Sequence, residues 1–458
     1  MCTSYISALN FEQSAFAARD VAALSSFNYE KCKKPNNLYT KEVSLMKKGA
    51  KKFIYNFIKC EGITATIAGI VILIIFLRRS SVTIIDWTMF TTIVVALLLS
   101  GLSKIIQAFI MNKLEDSVKL TENYDQLTQK YTNKMITYDN SRVSQDNLRK
   151  CPPKYKQEIR IPVICEYELE QCEIEIEDST AQYELPDIIK EHFDELFAAH
   201  SRSKIYNQLN IRVDDWEYKN KKLIIKTSRT TYFDSLVTNR AMDFQWHNGL
   251  TIREQFEYGP FIHTLKESCL SNHIGFNGFV ESSDGYIVFV KRGNRLSIGK
   301  GTYGDSVGAS LKTKYALDRS GKLTENGLIE AILSEITNEL KIQREELEEE
   351  FSDRKHLIAA YRDIVEGGKP QLLFYIRSSL PKERIEQNFF AEVKKSSKIH
   401  QRELLEDGKK LLWIPKTELD HICILPNMII YQGKTYRMMP SAAASIVMLI
   451  EYLKNSGG

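Results

Sequence analysis

Two glutamates, four residues apart, are of the type and spacing that could carry chemistry in this chain. Glu335 and Glu339 fall in segment 325–342, whose apolar residues recur at helical intervals. Residues four apart share one face of a helix, and paired carboxylates on one turn can hold Mg²⁺ against a substrate phosphate. A solvated carboxylate pair on a surface helix is the alternative interpretation of the same spacing.

The elements that must position this helix follow from apolar patterning and turn residues. Segment 273–293 predicts two strands around a Ser-Asp-Gly turn. Further strands are predicted at 297–311, 370–380 and 409–419, and a helix at 436–453. Strands, a helix, more strands and a final helix predict an α+β protein or a mixed-sheet α/β sandwich.

A glycine pattern within 297–311 matches the dinucleotide-binding motif in spacing only. Gly299, Gly301 and Gly304 have the required spacing, but that motif needs a helix to begin at its end. The residues that follow predict a loop or a strand. We therefore expect no dinucleotide site of this kind.

From about residue 270 to residue 425 the chain resembles a Nudix domain. Glu335 and Glu339 match the first and last glutamates in the second half of the Nudix box, while Ser334, Asn338 and Lys341 replace its arginine, middle glutamate and closing glycine. The resemblance implies a mixed-sheet α/β/α sandwich in which both glutamates bind a divalent metal such as Mg²⁺. Glu335 would be the catalytic residue of an active enzyme. The replaced residues argue against hydrolysis.

Two apolar stretches, 62–77 and 87–111, predict a transmembrane hairpin. A span needs roughly 20 apolar residues, and hydrocarbon leaves a backbone no partner but itself. Lysines on both flanks predict cytoplasmic N- and C-termini. A buried helical hairpin in a large core is the alternative.

Five segments follow from these patterns, and composition limits their partners. They are a polar and basic N-terminal segment (1–58), two transmembrane helices (59–111), an amphipathic stalk helix (112–150), an intermediate α+β region (151–271) and the Nudix-like domain (272–458). The net charge of +4 gives no support for binding a nucleic-acid duplex. Eight scattered cysteines without a CxxC motif fit a reducing compartment.

Two spans followed by a Nudix-like module resemble the two-transmembrane Nudix effectors of bacterial CBASS anti-phage systems. The resemblance implies a multi-pass protein of the bacterial inner membrane. It would sense a cyclic oligonucleotide made by a cyclic GMP-AMP synthase-like nucleotidyltransferase. It would then form a homo-oligomer and act on membrane lipid. A membrane-anchored nucleotide diphosphate hydrolase and an adaptor with a Nudix-like scaffold are the alternatives.

Basic and aromatic residues before the box helix are the candidate ligand-binding residues. Cationic side chains could meet phosphates, and tyrosines could stack on bases. These candidates are Lys291, Arg292, Lys300, Tyr303, Lys312 and Tyr315. A second polar group, Arg229, Thr230 and Tyr232, has no role assigned by the sequence.

Overall fold

The computed structural model describes most of the chain from residue 119 onward. The described residues are 102, 119–169, 172–200, 203, 206–246, 249–293, 296–348, 356–395 and 410–455. All but Leu102 belong to the second of the two units into which the chain divides, Met111–Gly458. The element labels below count described elements only.

The strands range from three residues in β13 to 11 residues in β5. In chain order they are β1 (Ile136–Asp139), β2 (Glu158–Ile161), β3 (Val163–Glu168), β4 (Glu173–Gln182), β5 (Leu209–Lys219), β6 (Lys222–Thr231), β7 (Gly275–Glu281), β8 (Tyr286–Val290), β9 (Val307–Ser310), β10 (Leu357–Asp363), β11 (Lys369–Arg377), β12 (Leu411–Pro415), β13 (Cys423–Leu425), β14 (Met428–Tyr431) and β15 (Lys434–Arg437).

The helices lie between and after these strands. In chain order they are α1 (Tyr124–Lys130), α2 (Gln145–Lys150), α3 (Asp187–Glu191), α4 (Phe193–Ala198), α5 (Tyr232–Val237), α6 (Ile252–Phe256), α7 (Thr313–Ala316), α8 (Glu325–Leu340), α9 (Lys382–Lys395) and α10 (Pro440–Asn455). The helices expected at 325–342 and 436–453 are thus confirmed as α8 and α10.

A seven-stranded mixed sheet organises the described chain. Its order is β12-β8-β7-β11-β10-β3, with β9 also paired to β7. The central pair, β7 and β11, runs parallel, with Gly275 opposite Gln371. Strand β3 comes from the predicted intermediate region, so this region contributes to the same sheet. Smaller sheets are formed by β4-β6-β5, by β13-β14-β15 and by β1-β2.

Each face of the large sheet is covered by a helix. On one face Phe276 and Phe374 pack in a buried cluster with Ile332 of α8. On the other face Phe279 packs in a cluster with Val447 of α10. Because strand side chains alternate between faces, a central strand buried on both sides reads as a continuous apolar run, as in Leu372–Ile376 of β11.

The membrane part of the predicted fold class is wrong for the chain that the structure describes. A bilayer span needs roughly 20 apolar residues, whereas α8 and α10 have 16 residues each. Among the described residues, no helix combines the length and apolarity needed to cross a bilayer. This finding contradicts the predicted multi-pass inner-membrane location. The stretches 62–77 and 87–111 themselves lie outside the described residues.

The single stalk helix predicted for 112–150 is also wrong over its described part. Helix α1 ends at Lys130, and strand β1 and helix α2 follow it. The apolar face seen in the sequence does exist, because Leu127 and Tyr131 are buried. It packs against Ile164 and Ile364 of this unit, which removes the need for a long self-pairing helix.

Gly327 in the first turns of α8 should be intolerant of a side chain. A Cβ there would lie 1.9 Å from the carbonyl oxygen of Ala316, at the end of α7. Alanine normally stabilises a helix interior by about 1 kcal/mol relative to glycine. Here we expect Gly327→Ala to destabilise the protein by about 1–3 kcal/mol, because α7 and α8 must separate.

Urea unfolding of the full chain measures this effect. The control is Asn326→Ala at the exposed neighbouring position, which should change stability by no more than about 0.5 kcal/mol. A higher urea midpoint for Gly327→Ala than for the native chain would contradict the close packing of α7 on α8.

Candidate functional site

The first box glutamate is buried and engaged by a lysine. Only 5 % of Glu335 is exposed, although it lies on the face of α8 beside half-buried Glu339. The Lys312 ammonium forms an ion pair with a Glu335 carboxylate oxygen. Lys312 is the residue before α7. The short connection from β9 into α7 therefore brings a cation onto the box helix.

Tyr315 belongs to the same group. Its ring centroid lies 5.8 Å from the Lys312 ammonium nitrogen and 5.1 Å from that of Lys314. Three of the predicted site residues, Glu335, Lys312 and Tyr315, are thus brought together. Their arrangement places an aromatic face and an ion pair side by side.

Arg292 lies apart from this group, in the loop after β8. Its backbone N–H donates to the Thr302 carbonyl at 2.7 Å. Its side chain lies along the glycine-rich segment, where a Cβ at Gly299 would come within 3.1 Å of Arg292 Nε. Strand β9 follows these glycines, so the prediction that a loop or strand continues from them is confirmed. Burial lowers the pKa of Arg292, and Glu339 is the largest opposing influence on it.

The remaining candidates do not meet in one site. Lys291 and Tyr303 form an isolated β-bridge, and the Tyr303 ring packs edge-on against Tyr436, with centroids 5.4 Å apart. Lys300 is exposed in the glycine-rich segment. The six predicted ligand-binding residues therefore fall into separate groups, and Tyr303 packs with the cluster on the α10 side of the sheet.

A buried charged cluster that the sequence analysis missed lies at the end of the sheet where β7 and β11 begin. Arg240 Nε lies 3.4 Å from a carboxylate oxygen of Glu366, and Lys369 Nζ lies 3.6 Å from the same oxygen. Arg240 also donates hydrogen bonds to Tyr232 Oη at 2.7 Å and Ser297 Oγ at 3.0 Å. We call Arg240, His273, Glu366 and Lys369 the sheet-end cluster.

His273 is the least satisfied member of the sheet-end cluster. It has no exposed surface, and neither ring nitrogen has a hydrogen-bond partner. Burial lowers the pKa of His273 well below its usual range, and Lys369 and Arg240 add to this effect. The imidazole is therefore neutral, with one N–H donor and one acceptor nitrogen facing cations.

Two buried carboxyl groups have raised pKa values: Asp363, which interacts with Glu366 and Lys369 of the cluster, and Asp305, which interacts with Arg292. Burial raises the pKa of Asp305 well above its usual range. Burial, followed by the charge of Glu366, raises the pKa of Asp363 to about 7. Asp363 ends β10 and faces Lys369 across the β10–β11 pair. Both carboxyls compensate nearby cations less fully than ordinary aspartates would.

The segment 228–234, noted in the sequence for its polar residues, serves two purposes. Arg229 is a structural residue, because its guanidinium holds both carboxylate oxygens of Asp178 at 2.7 Å. Thr231 begins α5 with a capping box to Asp234. Tyr232 reaches the sheet-end cluster through Arg240. This segment was the one sequence signal that pointed toward the cluster.

The residues present do not fit the Mg²⁺ that the resemblance implies. A magnesium site needs carboxylates free to coordinate, but Glu335 is already paired with Lys312. Within the described ranges, no group of three or more His, Cys, Asp or Glu side chains is placed to hold a metal ion. What the arrangement offers instead is buried cations, which suit an anionic group.

Comparisons with known proteins leave this geometry as the basis for a functional assignment. No protein-family model matches the chain, and no curated protein matches it.

The raised pKa of Asp363 makes a pH-dependent prediction. The native carboxyl keeps its proton up to about pH 7, whereas the unfolded carboxyl loses it near 3.8. Folding is therefore favoured at low pH within this window, and that contribution is lost as pH rises through 7. Asp363→Asn lacks this titration, so its stability relative to the native chain should increase between pH 5 and pH 8.

Urea midpoints at several pH values between 5 and 8 measure this difference. Asp318→Asn is the matched control, because Asp318 is an exposed turn residue whose pKa is lowered by its hydrogen bonds to Ser320 and Lys322. The difference in stability between Asp318→Asn and the native chain should be constant between pH 5 and pH 8. A pH-independent effect of Asp363→Asn would show that Asp363 is ionised throughout.

Proposed function

We propose that this chain is a receptor that binds a cyclic oligonucleotide and does not hydrolyse it. The observation that carries the proposal is the buried ion pair between Glu335 and Lys312. A lysine ammonium already neutralises the carboxylate that a Nudix-type hydrolase would use for its metal. The receptor role is the one that the resemblance to CBASS effectors implies.

The composition of the box supports binding over turnover. Metal-dependent attack of water on a phosphoanhydride needs a metal held by several carboxylates. Here Ser334 and Asn338 replace the arginine and the middle glutamate of the box. Freeing Glu335 for a metal would leave the Lys312 ammonium without its partner. Breaking a partly buried pair in this way is costly.

The surroundings of the box helix support a phosphate-bearing ligand. Burial lowers the pKa of Arg292, and the charge of Glu339, on α8, acts against this lowering. The Tyr315 ring beside Lys312 offers a face on which a base could stack. Arginine and lysine near an aromatic face are the groups that nucleotide ligands require.

For such a receptor to signal, the protein must have two states, and the ligand must bind one of them more tightly. A ligand shifts only an equilibrium whose states it distinguishes. We propose that the ligand favours a homo-oligomer of this chain. Sedimentation velocity of the full chain, with and without ligand, measures this step separately from binding.

Calorimetric titration of the full chain with a panel of cyclic di- and trinucleotides tests the receptor proposal. Titrations in EDTA and in Mg²⁺ should give the same affinity, and chromatography of the mixture should show intact ligand. The Glu335→Gln variant, like the native chain, should leave the ligand intact. Glu330→Gln is the matched control, because Glu330 lies on the same helix but pairs with exposed Arg344.

Two outcomes would reject the receptor proposal. If no cyclic nucleotide of the panel binds, the proposed class of ligand is excluded. Mg²⁺-dependent breakdown that disappears in Glu335→Gln and persists in Glu330→Gln would make the chain a nucleotide hydrolase instead.

A further inference from the structure

The charge balance of the sheet-end cluster is incomplete. The side chains of Glu366 and Lys369 are each 5 % exposed, and that of Arg240 is 12 % exposed. One carboxylate oxygen therefore serves two cations, at distances longer than hydrogen bonds. Glu366 Oε2 and Arg240 Nε are ion-paired with each other at 3.4 Å, but neither atom has a hydrogen bond of ordinary geometry among the described residues. Leaving buried charged groups without such partners is costly.

His273 adds an unused hydrogen-bonding group to the same place. Its ring centroid lies 6.5 Å from that of Tyr232, which accepts a hydrogen bond from Arg240. A buried imidazole normally has a partner for at least one nitrogen. Here the N–H has none among the described residues, and the neighbouring side chains Arg240 and Lys369 are themselves donors. Arg240 already donates to Tyr232 and Ser297, and both cations pair with Glu366. An acceptor from outside would complete this shared pairing and serve the imidazole.

Arg292 raises the excess of positive charge. Its Nε likewise has no hydrogen-bond partner in the described part of the chain, and its charge is felt by Arg240 and Lys369. The raised pKa values of Asp305 and Asp363 reduce the opposing negative charge. Arg240 is the partly exposed member of the cluster, whereas His273, Glu366 and Lys369 are buried.

We infer that Arg240, His273 and Lys369 form a binding site for a phosphate group. A phosphate has acceptor oxygens for the guanidinium, the ammonium and the imidazole N–H, and its charge balances the two cations. Glu366 then holds Arg240 and Lys369 in position. The inference rests on the proposed function only for the identity of the whole ligand, a cyclic oligonucleotide; the phosphate site itself stands on these contacts.

Replacement of His273 separates this site from a purely structural cluster. His273→Leu removes a buried polar group that has no partner, so the melting temperature without ligand should stay the same or rise. The same change should weaken binding of inorganic pyrophosphate at least tenfold. Calorimetry of the full chain at fixed ionic strength measures the affinity, and thermal unfolding measures the stability.

His356→Leu is the matched control. His356 is also buried, but its Nδ1 lies 3.3 Å from the Tyr375 carbonyl oxygen. Replacement by leucine removes this polar contact. We expect lower stability and unchanged pyrophosphate affinity. If His273→Leu does not fold, Lys369→Gln replaces it, with the same tenfold loss expected.

The outcomes distinguish this site from the receptor proposal. Absence of pyrophosphate binding to the native chain, or equal affinity in the native chain and the His273 variant, overturns the phosphate site. Pyrophosphate binding that depends on His273 supports the site even if every cyclic nucleotide fails to bind. That second failure would reject only the receptor proposal.

Discussion

The parallel pairing of β7 with β11 determines where the charged groups of this protein lie. Gly275 is opposite Gln371 in the register, so His273 and Lys369 each stand two residues before a paired position. Parallel strands begin at the same end of a sheet. The turn after β10 then places Glu366 beside Lys369, and Arg240 closes the group from the segment after α5. A shift in register of one residue would turn these side chains to the opposite face.

The ion pair on α8 depends on how closely two helices of this unit pack. Lys312 reaches Glu335 because α7 packs closely on the start of α8. This packing depends on the absence of a side chain at Gly327. Removing the lysine alone would leave the buried Glu335 carboxylate without a compensating charge. This would destabilise the protein more than replacing both partners by apolar residues. The lysine and the glycine therefore support the same arrangement.

Local patterns in the sequence predicted the elements better than they predicted the site. The apolar periodicity of α8 and α10 and the turn between β7 and β8 involve neighbouring residues, so they could be recognised directly. The spacing of Glu335 and Glu339 was equally local. Its partner Lys312 was among the candidates, but as a contact for phosphate, because no local signal shows which cation will reach a buried carboxylate.

The sheet-end cluster was beyond this kind of prediction. His273 and Lys369 become neighbours only through the pairing of two distant strands, and each is an ordinary residue in its own segment. The stalk was wrong for a related reason. An amphipathic face predicts that a segment packs, but does not identify what it packs against. The face of Leu127 and Tyr131 met the core of its own unit.

Two buried ionic groups in this unit differ in a way that bears on their roles. Arg229 meets Asp178 through two hydrogen bonds of 2.7 Å, and Asp178 also accepts from Thr227 and Leu323. The charged groups of Arg229 and Asp178 are thus hydrogen-bonded within the protein itself, as expected of a structural ion pair. In the sheet-end cluster Arg240 Nε and Lys369 Nζ share one Glu366 oxygen at 3.4 Å and 3.6 Å, and neither ring nitrogen of His273 has a hydrogen-bond partner among the described residues.

A protein selected for stability alone would favour replacing such groups by apolar side chains, which is often stabilising. The imidazole of His273 is such a group, and in the proposed site its N–H would donate to the phosphate. The satisfied pair and the unsatisfied cluster are built from the same residue types. The difference between them is the number of acceptors that the described protein supplies, and in the proposed site a phosphate supplies the rest.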